Sequence, residues 1–108
     1  MNDQKIEKVI KQISKFLKER FIDFNGIYFY GSRVRGKFSP DSDYDLILVF
    51  EREITWQFKE EIRHMIYEFE DKYDIFIDSK IVSSKEMDLD RMPLIQNVKK
   101  EGVFYGVW

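Results

Sequence analysis

The chain has 108 residues, 44% of them hydrophobic and 35% charged. That balance argues against a disordered chain and fits a single globular domain over residues 1–108. Its net charge is −2, from 18 basic and 20 acidic residues, so no overall positive field favours nucleic acid as a partner. It has no Cys and one His, which excludes disulfides and thiolate sites and argues against a His-rich zinc site. Any metal would sit on oxygen ligands, which favours Mg²⁺ or Mn²⁺. There is no apolar leader and no apolar run of membrane-spanning length, so the expected location is cytoplasmic, away from membranes.

Ile6, Val9, Ile10, Ile13, Phe16 and Leu17 recur at helical spacing, so residues 3–21 are read as an amphipathic helix with Asp3 at its N-cap. Asn25-Gly26 breaks that pattern, and Ile27 to Tyr30 form a short apolar strand running into Gly31-Ser32. Ser32 to Gly36 would start a short helix capped by Ser32, and Ser39-Pro40-Asp41-Ser42 is turn chemistry. Asp43 to Phe50 reads as a buried strand, and Ile54 to Lys72 as a second long helix. Tyr73 to Val82 alternates like a third strand, with Asp74, Phe76, Asp78 and Lys80 on one side. A helix start at Ser83-Ser84, a short helix over Pro93 to Lys100 and an apolar tail from Val103 to Trp108 complete the chain. That tail is either a last strand closing the core or part of a subunit interface.

The stretch GSRVRGKFSPDSDYDL, Gly31 to Leu46, carries the chemistry. In a strand beginning at Asp43, side chains alternate, so Asp43 and Asp45 share a face. Two carboxylates at a strand end can hold divalent cations that stabilise in-line attack on phosphorus. The Gly31-Ser32 turn offers backbone N–H groups and little bulk where a phosphate would approach. Arg33 and Arg35 could clamp phosphates with their guanidinium forks or be a solvated basic turn. Tyr44 would point away from Asp45 into the core, and His64 reads as a surface or core-edge residue. The lysines of the first helix read as a solvated face.

The order Gly31-Ser32, ten residues, then Asp43-x-Asp45 resembles the DNA polymerase β-like nucleotidyltransferase superfamily, most closely its minimal nucleotidyltransferases (MNT). The resemblance implies an α/β, two-layer fold: a small mixed sheet, helices mainly on one face, and the metal site at the exposed edge of the other. It implies a metal-dependent enzyme that moves a nucleoside monophosphate from a triphosphate, ATP being the expected one, to an acceptor hydroxyl. Asp43, Asp45 and a third carboxylate would hold the metals. Gly31, Ser32, Arg33 and Arg35 would hold the nucleotide phosphates. The third acid lies on the strand after the long helix. Asp78 matches the family's strand better, while Asp74 stays open. The family also implies a helical HEPN-type protein partner in a toxin–antitoxin pair, or a homo-oligomer, since the chain lacks the extra helical domain of larger members. The rival reading is a non-catalytic binding module or antitoxin scaffold that keeps the fold.

Overall fold

The computed structural model describes residues 4–31, 33, 34, 36, 42–89 and 91–106. Two long helices, α1 (Gln4–Arg20) and α2 (Trp56–Tyr73), and two short ones, α3 (Ser84–Leu89) and α4 (Pro93–Glu101), surround four strands. The strands are β1 (Phe24–Tyr30), β2 (Tyr44–Phe50), β3 (Ile77–Ser83) and β4 (Val103–Gly106), in sheet order β3-β2-β1-β4. β2 is parallel to β3, with α2 as the crossover, while β1 is antiparallel to both β2 and β4. The sheet is therefore mixed, as the sequence resemblance implied.

Alternation along the strands sorts the side chains into two cores. Leu46, Leu48 and Phe50 of β2 join Ile27, Phe29, Ile77 and Ile81 on one face. Ile6, Val9, Ile10, Ile13 and Leu17 of α1, with Phe58, Ile62 and Ile66 of α2, cover them. On the other face Tyr30, Ile47 and Val49 meet Met87 of α3 and Ile95 and Val98 of α4. The second core is the smaller of the two. Among the described residues, no helix is long and apolar enough to cross a membrane.

Local chemistry fixes the element ends. The Thr55 side chain accepts from the Phe58 N–H at 3.2 Å and starts α2. Ser83 and Glu86 bond reciprocally, Glu86 N–H to Ser83 Oγ at 3.1 Å and Ser83 N–H to Glu86 Oε1 at 3.2 Å, as a capping box for α3. The tail expected from Val103 is strand β4 on the edge beside β1.

The third strand differs from expectation at its start. The helix α2 runs to Tyr73 and ends on Asp74, whose φ of 54° is left-handed and whose N–H donates to Glu70 O. Glu70 Oε2 then accepts the Ile77 N–H at 3.0 Å, and β3 begins there. Asp74 is thus a helix cap off the strand, not a face-mate of Asp78. Its carboxylate mimicked strand alternation in the sequence, and the tertiary bond from Glu70 decides otherwise.

Candidate active site

β1 ends at Tyr30, and the chain turns at Gly31 with φ of +90°, a backbone that side-chain-bearing residues rarely adopt. A Cβ at Gly31 would collide with Asp45 Oδ2 and sit 3.0 Å from Asp45 Cγ. The missing side chain is what lets the Asp45 carboxylate lie against the turn. Beyond it, Val34 N–H donates to Gly31 O at 3.2 Å and Gly36 N–H to Arg33 O at 3.3 Å, a pair of turns where a short helix was expected. Ser32 and Arg35 lie outside the described residues.

Arg33 reaches across the intervening loop. Its Nε donates to Ser42 O at 2.9 Å, and its guanidinium lies 4.0 Å over the Tyr44 ring. Tyr44 is buried in the α1/α2 core, as expected, so Arg33 sits on the sheet face opposite Asp45. It ties the start of the intervening loop to its end and so fixes where Asp43 enters the strand. A polar cleft of about 400 Å³ there is lined by Arg33, Ser42, Tyr44, Asp74 and Phe76. His64 is exposed on α2 against Tyr67, away from the site.

The acidic end of the sheet is built by register. Asp45 is the cross-strand partner of Tyr30 on β1 and of Asp78 on β3. Asp43 lies just ahead of β2 and is exposed. Burial lifts the pKa of Asp45 above the usual carboxylate range; the Asp78 charge adds to this, Lys80 opposes it, and Asp43 adds a smaller push. Asp78 is exposed, and its Oδ2 receives Lys80 Nζ at 3.3 Å. Two residues along β3, Lys80 shares the face of Asp78 and lies 5.9 Å from the Tyr30 ring centroid. Burial works against the Lys80 charge, but Tyr30 and Asp78 outweigh it and hold its pKa above the ordinary lysine value. Burial also raises the pKa of the Tyr30 hydroxyl, with Lys80 opposing; its buried Oη has no hydrogen-bond partner of good geometry among the described residues. Lys80 and Tyr30 carried no role in the sequence reading. Only the two-residue spacing from Asp78 signalled Lys80.

The donor set suits a hard divalent cation in kind: carboxylate oxygens that repel one another, with Asp45 half-buried and Asp43 and Asp78 exposed. Its assembly is partial. Among the described residues no three Asp, Glu, His or Cys side chains are gathered into a group that could hold a metal as they stand. Asp45 and Asp78 form a pair, and Asp43 acts on it through its charge.

Residues 10–105 match the family model of the nucleotidyltransferase domain. The chain belongs to the nucleotidyltransferase family. The nucleotidyltransferase domain is 33% identical over 110 residues to spectinomycin 9-adenylyltransferase of Enterococcus faecalis, covering 97% of this chain and 40% of that protein. It therefore spans well under half of that relative. Its fold resembles a candidate nucleotidyltransferase from Sulfolobus solfataricus, at 21% identity and a TM-score of 0.61, covering 97% of this chain and 88% of that one. It also resembles a chain of a toxin–antitoxin structure with AMP-PNP, at 20% identity and a TM-score of 0.61, covering 99% and 75%. A chain of the MntA–HpeT toxin–antitoxin is similar at 18% identity and a TM-score of 0.60, covering 90% and 73%.

Proposed function

We propose that this domain transfers a nucleoside monophosphate from a nucleoside triphosphate to an acceptor hydroxyl, using a divalent cation, Mg²⁺ or Mn²⁺. The observation that carries the reading is Asp45, set in register with Asp78 and laid against a turn that only glycine allows. Asp43, Asp45 and Asp78 would hold the cation, Asp43 from just ahead of β2. When bound, such a cation neutralises phosphate charge and favours in-line displacement. The chain's own contribution is placement. Gly31 lets the Asp45 carboxylate lie against the turn, and Gly31 and Ser32 would hold the β- and γ-phosphates. Asp78, the more exposed acid, receives the proton of the acceptor hydroxyl as its oxygen bonds to the α-phosphorus and the bond to pyrophosphate breaks. ATP is the favoured triphosphate, supported by the adenylyl transfer of the spectinomycin relative and the AMP-PNP in the similar structure.

The similar toxin–antitoxin chains support a protein partner, which we take to be a helical HEPN-type protein that this domain acts on or binds as an antitoxin. One observation favours a second reading, a binding-only scaffold: Lys80 is already paired with Asp78, and among the described residues no three-acid group is assembled.

Transfer of radiolabelled AMP from ATP to co-expressed protein, with Mg²⁺, separates the two. Asp45→Asn and Asp78→Asn should each lower the rate by roughly 10²–10³-fold, a loss typical of removing one charged group that stabilises the transition state. Asp74→Asn should leave it near wild type. No labelling by wild type with any triphosphate would favour the scaffold. Loss in Asp74→Asn with retention in Asp78→Asn would move the third ligand to Asp74.

A further inference from the structure

We infer that Lys80 is a built-in counter-cation that competes with the divalent cation for the acidic pair, so that loading the site requires its ammonium to leave Asp78. The inference rests on the reading of Asp45 and Asp78 as cation ligands. Lys80 Nζ sits 3.3 Å from Asp78 Oδ2, one of the oxygens Asp78 could offer a cation. The pair is open to water, with side-chain exposures of 40% for Lys80 and 48% for Asp78, so the contact is weak enough to exchange. The ammonium also has a second berth. Tyr30 presents its ring 5.9 Å from Nζ, and its buried hydroxyl, which has no hydrogen-bond partner of good geometry among the described residues, already favours the Lys80 charge. The Tyr30 oxygen can accept from a displaced ammonium without Lys80 leaving the face. Strand alternation keeps Lys80 there, because Ile77 and Ile81 bury the opposite side of β3. One positive charge thereby covers the mutual repulsion of Asp45 and Asp78 until a stronger cation arrives.

Binding of Mn²⁺ alone, followed by electron paramagnetic resonance without nucleotide, reads this directly. Lys80→Met and the milder Lys80→Gln should each bind Mn²⁺ roughly tenfold more tightly than wild type, since a repelling charge and a competitor both vanish. Lys80→Arg should show no gain. Adding Asp78→Asn to Lys80→Gln should abolish the gain. A merely structural role for Lys80 would shift the melting temperature without changing Mn²⁺ affinity. Wild-type affinity unchanged by Lys80→Gln, yet lost in Asp45→Asn, would overturn the competition and leave the proposed function standing. Absence of Mn²⁺ binding in every protein overturns the inference. If binding stays absent with AMP-PNP added, the metal reading beneath it fails as well.

Discussion

Gly31 does two jobs at one Cα: it takes a left-handed backbone, and it yields the volume that Asp45 occupies. Gly31→Ala should fail on both counts. We expect a cost on the order of 1–3 kcal/mol from the positive φ alone, with nucleotide-dependent thermal stabilisation lost because the carboxylate must move. Calorimetry with and without ATP and Mg²⁺ measures both. A second residue-level effect lies at the far end of the sheet. Asp23 receives Arg52 Nε at 2.6 Å and Nη2 at 2.7 Å, a forked pair. The Arg52 hydrogen bonds hold the Asp23 pKa below its ordinary 3.8. A carboxylate with a lowered folded pKa stabilises the fold above its unfolded pKa, and that stability disappears as pH falls through the folded value. Because Arg52 is 40% exposed, the pair is worth about 0.5–1 kcal/mol after solvent screening. Asp23→Asn should therefore melt a few degrees below wild type at pH 7, and the two curves should converge as the pH falls below 3.8.

Among the elements, α2 links the parallel strands β2 and β3, so its ends set where Asp78 appears. Thr55 caps the start with one bond to Phe58 N–H. Thr55→Ala should cost about 1 kcal/mol, or roughly 4–6 °C in melting temperature, with transfer activity unchanged below the transition. The other end of α2 shows where sequence reading stops. The helices and the strands β1 and β2 were legible because apolar residues repeat with a helical or continuous pattern. The start of β3 was not, since Asp74, Phe76 and Asp78 alternate like a strand while Asp74 adopts a left-handed cap more usual for Gly or Asn. The Gly31 turn and the Asp43–Asp45 spacing stood out in the sequence. The direction of Arg33 did not, because it depends on how the loop folds back to Ser42. Nor did the closeness of Lys80 to Tyr30, which follows from strand register across the sheet.

At the scale of the whole molecule, the sheet is the shared wall of two cores, and β2 runs through its middle. Leu48 is fully buried between β1 and β3 on the α1/α2 face. Leu48→Ala should cost about 2–5 kcal/mol, seen as a lower urea midpoint with a similar slope. The register of β3 has a larger consequence. A slip by one residue would swing Asp78 and Lys80 into the oily interior and push Ile77 and Ile81 out into water. Each stranded isoleucine forfeits roughly 2 kcal/mol, and the buried charges would cost more. A chain paired out of step would thus show apolar patches to solvent, and it would aggregate rather than persist as a soluble misfold.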